Sequence, residues 1–150
     1  MVEREAVLQL MDEAGAVILA TVDGTTPQIR ALSNLRRADL YPGASRFCRS
    51  QCATLYFATS AASDKVRDIR SNPAAAAYYC DPQKVHGITL SGSIEVLSDP
   101  ELKRAIWEDV WRIYWPTGPE DDDFVVLRMK PARAEGWWGV EPFEIEAGSL

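Results

Sequence analysis

Apolar residues recur along this chain with two periods, and the switches between them lay out its elements. Val7, Leu10, Met11 and Ala14 repeat at helical spacing and Gly15 follows as a stop, so Val2 to Ala14 is predicted to be an amphipathic helix. The pattern then shortens to the two-residue period of strands. Ala16 to Val22 and Thr26 to Leu35 flank Asp23-Gly24, a strong hairpin signal. Cys52 to Ala58 reads as a strand that runs into a small polar turn. Ser63 to Ser71 reads as a short helix ended by Asn72-Pro73, since the residue before a proline avoids the helical region. Ala74 to Asp81 and Ile88 to Leu97 are two more predicted strands, joined by the polar segment Pro82 to Gly87. Ser98-Asp99-Pro100-Glu101 joins a capping residue, an early proline and a glutamate three residues on, which starts a helix to about Tyr114. Phe124 to Lys130 and Ala132 to Trp138 are the last predicted strands, followed by an acidic tail, Pro142 to Leu150, with no predicted structure. Arg36 to Gln51 reads as a loop with a Pro42-Gly43 turn. Six or seven strands with about three helices indicate one mainly β (α+β) domain, an antiparallel barrel with helical additions.

The helix predicted from Glu101 to Tyr114 is apolar around most of its circumference. Leu102, Ala105, Ile106, Val110, Ile113 and Tyr114 make a wide stripe, and Trp107 and Trp111 extend it. Such a helix is buried on more than one side. The second side faces either another subunit or the following segment, Trp115 to Asp123.

Composition narrows the function classes. A net charge of −6 argues against nucleic-acid or anionic-membrane partners, which need a basic surface. No apolar run approaches the ~20 residues that span a bilayer. The acidic amphipathic N-terminus does not read as a signal peptide. Three cysteines do not suggest a secreted disulfide scaffold, so a reducing cytoplasm is the expected location.

The chemistry concentrates in Leu55 to Pro73. Ser63 suits a helix N-cap and Asp64 suits the positive end of the helix dipole, but Lys65 does not. A cation beside free backbone N–H groups and the hydroxyls of Thr59, Ser60 and Ser63 makes sense if an anion binds there. The alternative is a solvated surface lysine. Arg30 lies inside the second strand, between Ile29 and Ala31, on a solvated face or in a site.

The order of these motifs carries a resemblance. A strand, a D-G turn, a P-x-x-R strand and then a strand with T-S-x-x-S-D-K leading into a helix is similar to the flavin-binding split-barrel family of pyridoxamine 5′-phosphate oxidase. It is nearest the general stress protein branch. The similarity continues through Ala74 to Tyr79, Gly92 to Leu97 and Phe124 to Trp138, and spans roughly residues 5 to 138. The resemblance implies a split β-barrel homodimer with FMN at the subunit interface. By motif position it implies phosphate contacts from Lys65 and Arg30, and hydroxyl donors from Ser63 and Ser60. It also implies that backbone at Ala31, Leu32 and Ser33, and at Ala58 and Thr59, lines the ring. Strand register leaves the Arg30 assignment open by one or two residues. The implied activity is flavin-dependent oxidoreduction of a small molecule, with no diagnostic catalytic side chain. A non-catalytic flavin-binding stress protein, or a relative using deazaflavin or haem, stays open.

Other features add less. The family's namesake carries a longer C-terminal segment with an Arg-and-His motif. Here the lone His86 lies far upstream, so pyridoxamine phosphate is not the expected substrate. Arg36, Arg37, Arg46 and Arg49 either set specificity for a small anionic substrate or belong to a solvated insertion. The C-x-x-x-C spacing of Cys48 and Cys52 is not a redox or zinc pattern, and no metal site is expected. His86 is a turn residue or a haem ligand, and Asp121 to Asp123 read as an acidic turn.

Overall fold

β1 (Val17–Asp23) and β2 (Thr26–Leu32) form the predicted hairpin in a computed structural model that describes residues 1–150. Asp23 pairs with Thr26, so the two-residue turn is Gly24-Thr25. Gly24 takes a φ of +61°, which glycine adopts without a Cβ penalty. α1 (Arg4–Glu13) precedes the hairpin and buries Val7, Leu10 and Met11, as its period predicts. After it come α2 (Pro42–Ser50), β3 (Leu55–Ser60), α3 (Asp64–Ser71), β4 (Ala74–Asp81) and β5 (His86–Leu97). Next are α4 (Pro100–Ile106), 3₁₀ turns at Asp109–Ile113 and Gly118–Glu120, β6 (Phe124–Trp138) and β7 (Glu141–Ile145). No helix is long and apolar enough to cross a membrane.

All neighbouring strands are antiparallel, in the order β2-β1-β4-β5-β6-β3, with β7 also on β6. The 15-residue β6 holds β3 along its first half and β7 along its second. The sheet is a half-barrel of the split-barrel type; β2 is the edge strand at one end, and β3 and β7 share the edge at the other. Inward residues of β1, β3, β4, β5 and β6 join α1 and α3 in the main core, around Phe57, Leu19, Leu90 and Leu127. A second core lies outside the barrel. There Leu35, Tyr56, Phe124 and Val126 meet Ala44 and Cys48 of α2, Ile106 of α4, and Trp111 and Trp115.

Four segments depart from the sequence expectations. Arg36 to Gln51 is not a loop, because Pro42 to Ser50 forms α2. Its start is capped from far away: the Glu108 carboxylate accepts from the Gly43 and Ala44 N–H groups, each at 2.8 Å. Nor is this segment a solvated insertion. Arg36 is 5% exposed and donates to Asp12 at 2.7 Å and to the Cys48 and Cys52 carbonyls. The predicted helix to Tyr114 breaks at Trp107, which is extended at ψ 140°. The break turns Glu108 toward α2, and the Trp107 indole N–H donates to Asp109. Asp99, not Ser98, is the cap of α4, accepting from the Leu102 N–H. The two last predicted strands are one strand, with Pro131 at a bulge where pairing with β5 shifts by one residue, so its missing N–H disrupts no ladder. The tail is ordered. Phe143 packs edge-on to Trp138, Leu150 is buried, and Arg4 donates to the Ser149 and Leu150 carbonyls.

Candidate functional site

The edge strands β2 and β3 carry the residues singled out from sequence, and side chains of α3 bridge them. From α3, Lys65 reaches β3 and donates to the Thr59 hydroxyl at 2.9 Å. One turn on, Asp68 faces β1 and β2. Its Oδ2 accepts from the Thr21 hydroxyl at 3.4 Å and lies 3.9 Å from the Arg30 guanidinium. Arg30 in turn donates to Thr21 Oγ1 at 2.8 Å and to the Leu19 carbonyl at 3.3 Å. The chain Arg30 to Thr21 to Asp68 thus pins a half-buried guanidinium from behind.

Lys65 has no carboxylate partner within salt-bridge distance, and Asp64 pairs with Arg67 instead, at 3.3 Å. Partial burial pulls the Lys65 ammonium below the ordinary lysine range, the positive charge of Arg30 adds to this, and Asp64 opposes it. Lys65 thus shares a groove with a second cation and has no carboxylate of its own, which leaves it electrostatically incomplete. Ser63 occupies the N-cap position of α3, but its hydroxyl caps nothing and is buried without a hydrogen-bond partner. A buried, unpaired hydroxyl is costly, so this one points to a missing partner. Arg30, Lys65, Gln28 and Ile29 line a shallow groove of about 390 Å³ with Arg67 and the acidic residues around it.

A second cavity, of about 610 Å³, adjoins Thr59. Ser33, Ala58, Thr59 and Ser60 form one side; Trp111, Ile113, Tyr114 and Trp115 form the other. Asp123 completes it. Its carboxylate accepts from the Ser60 hydroxyl at 2.5 Å, the Ala62 N–H at 3.1 Å and the Trp115 indole at 3.3 Å. The Ser60 bond is the main reason that its acidity is raised. Of the predicted residues, Ala31 is exposed on β2, and Leu32 is half-buried against the main core. Neither lines the two cavities, whereas Ser33 and Ala58–Ser60 line one and Arg30 and Lys65 the other.

Sequence reasoning missed Thr21, Asp68, Asp123 and the aromatic wall. Two of them left a signal: Thr21 is polar on the inward period of β1, and Asp68 is a carboxylate on the buried face of α3. The other candidates lie elsewhere. Arg49 donates to the Arg36 carbonyl and sits 3.6 Å from Asp12, and Arg37 pairs with Asp39, so these arginines serve the fold. Cys48 is buried, which pushes its thiol up to about 12. His86 opens β5 and stacks on Trp138 at 3.8 Å.

A family model described as pyridoxamine 5′-phosphate oxidase like matches residues 48–142. The chain belongs to the pyridoxamine 5′-phosphate oxidase-like family. The match takes in Ala58 to Lys65 and the aromatic wall, while Arg30 precedes it. Solved structures share the fold. A Clostridium acetobutylicum protein related to general stress protein 26 is 21% identical, with TM-score 0.75 and 99% of each chain covered. General stress protein 26 from Bacillus anthracis is 20% identical, with TM-score 0.71, over 95% of this chain and 98% of that one. A pyridoxamine 5′-phosphate oxidase-related, FMN-binding protein from Nostoc punctiforme is 18% identical, with TM-score 0.63, over 88% and 81%. No curated protein matches the chain.

Proposed function

We propose that this member of the pyridoxamine 5′-phosphate oxidase-like family is a homodimeric flavoprotein that binds FMN along the open seam and uses it to oxidise or reduce a small molecule. One observation carries the reading: Lys65, which has no carboxylate partner, shares a groove with Arg30, and the Ser63 hydroxyl at the start of the same helix is buried and unpaired. This donor set suits a phosphate. Arg30, held by Thr21 and Asp68, and Lys65 bind it, and Ser63 adds a hydroxyl donor. Both β2 and β3 pair on one side only, so backbone N–H and C=O groups remain free along the seam for a polar ring edge. Trp111 and Trp115 supply an apolar wall that excludes water. FMN supplies the two-electron chemistry when bound, and the protein holds and tunes it. The FMN-binding relative from Nostoc punctiforme has the same fold and supports the same cofactor here.

The proton on Lys65 makes this reading testable by pH. Only the charged ammonium attracts phosphate, and its pKa is lowered in the free protein. FMN affinity is therefore expected to fall as pH rises through a range below that of an ordinary lysine, with phosphate binding taking up a proton. Fluorescence titrations between about pH 7 and 9.5, with riboflavin as control, check it. An FMN affinity that tracks riboflavin throughout would remove Lys65 from the phosphate site.

The homodimer rests on the surface beside the site. Val110, Ile113 and Tyr114 are 67%, 77% and 68% exposed, and Ile29 next to Arg30 is 71% exposed. Several large apolar side chains left this exposed near one site point to an interface. Sedimentation is expected to show a dimer at micromolar concentration, and Ile113→Glu is expected to shift it to monomer. A clean wild-type monomer would contradict both the dimer and an interfacial cofactor.

A further inference from the structure

We infer that Asp123 is a positioning residue which, resting on the flavin reading above, holds the two halves of that site in one arrangement: the turn that carries the phosphate-binding side chains, and the aromatic wall. One carboxylate reaches both halves. Its Oδ2 accepts from the Ser60 hydroxyl at 2.5 Å and from the Trp115 indole N–H at 3.3 Å, and its Oδ1 accepts from the Ala62 N–H at 3.1 Å. The Asp123 carbonyl accepts from the Ala61 N–H at 2.7 Å. Ser60 ends β3, and the turn continues through Ala61 and Ala62 to Ser63 and Lys65. The carboxylate is charged at neutral pH, because the Ser60 bond above all holds it below the usual carboxylate range. Hydrogen bonds to a charged acceptor are about twice as strong as neutral ones.

The turn depends on this anchor. Ala61 and Ala62 donate their N–H groups to Asp123, and the Ser63 N–H donates to the Ser60 carbonyl at 3.1 Å. These amides are not available to a phosphate, whose affinity then depends on where Ser63 and Lys65 are held. Lys65 leans on the Thr59 hydroxyl, one residue before Ser60. A shift of this strand end therefore moves Thr59, Ser63 and Lys65 together. Asp123 is itself fixed. Its N–H donates to the Asp121 carboxylate at 3.0 Å, and the Asp121 carbonyl accepts at 2.9 Å from Lys103, which is 6% exposed. Asp123 lines the walled cavity and lies outside the groove of Arg30 and Lys65. It acts on the phosphate only through other residues, so cutting it lowers preorganisation and removes no phosphate contact.

The test titrates wild type and variants with FMN and with riboflavin by flavin fluorescence, after urea denaturation has shown each to be folded. Asp123→Ala is expected to weaken riboflavin about threefold, through the wall, and FMN at least tenfold, through wall and turn together. The preference for FMN thus falls although Lys65 and Arg30 are intact. Ser60→Ala cuts only the turn and is expected to lower that preference with riboflavin unchanged. Trp115→Phe keeps a ring in the wall, cuts only the indole bond, and is expected to weaken both flavins by the same factor. Asp123→Ala combined with Ser60→Ala is expected to be no weaker than Asp123→Ala, because both cut one link. A merely structural role would lower the urea midpoint and leave the ratio of the two affinities where it was. An unchanged ratio in Asp123→Ala, or fully additive losses in the double variant, would overturn the inference. If Asp123→Ala does not fold, an unchanged ratio in Ser60→Ala overturns it instead. Wild-type protein that takes up no FMN would contradict the flavin reading itself, whereas FMN-binding wild type with unaltered ratios in the variants removes only the role of Asp123.

Discussion

Replacing Lys65 with alanine is expected to weaken FMN binding about 10- to 100-fold and to leave riboflavin affinity nearly unchanged. A hydrogen bond to a charged group contributes about 1.5–3 kcal/mol, and the loss falls wholly on the phosphate. The folded protein should tolerate the change. Lys65 is partly desolvated, the charge that acts on it most is the like-charged Arg30, and its one hydrogen bond is to Thr59. Removing it relieves a repulsion in the free protein, so stability should hold or rise slightly while affinity falls. That opposition separates a binding role from a structural one. Equal weakening of FMN and riboflavin would show that Lys65 does not meet the phosphate.

Arg36→Ala should have the opposite character: a large loss of stability, about 3 kcal/mol, with flavin affinity unaffected once the protein is folded. The Arg36 guanidinium is nearly buried, and it ties α1 through Asp12 to the C-terminal end of α2 through the carbonyls of Cys48 and Cys52. Alanine leaves these acceptors without their donor, and Arg49 reaches only Asp12, at 3.6 Å. Arg36→Lys should recover only part of the loss, because an ammonium cannot serve three acceptors spread around a planar fork. Urea denaturation measures both. A change under 1 kcal/mol in the alanine variant would mean that the second core holds α2 without this link.

Local signals were legible in the sequence, and distant ones were not. The Asp23-Gly24 hairpin, the β4 boundaries and the start of α3 follow from turn chemistry and period within a few residues. The misplaced Lys65 was visible because a helix dipole is a local field. α2 was hidden because its cap, Glu108, lies 65 residues away, and four arginines in 36–49 masked the short apolar stripe of Ala44 and Cys48. The break at Trp107 was hidden for the same reason, since the 101–114 stripe reads as one helix until Glu108 is needed elsewhere. The candidate site was half legible. Arg30, Lys65 and the 58–60 strand end announce themselves, but Asp68 and Asp123 act through partners that only the fold brings near, Thr21 and Ser60.

The central claim is that the seam between β2 and β3 holds FMN by its phosphate. Titrating the purified wild-type protein with FMN and with riboflavin, followed by flavin fluorescence, tests it most directly. Saturable uptake of one FMN per chain, with riboflavin at least tenfold weaker, is the predicted result. No saturable FMN binding, or riboflavin bound as tightly as FMN, would contradict it.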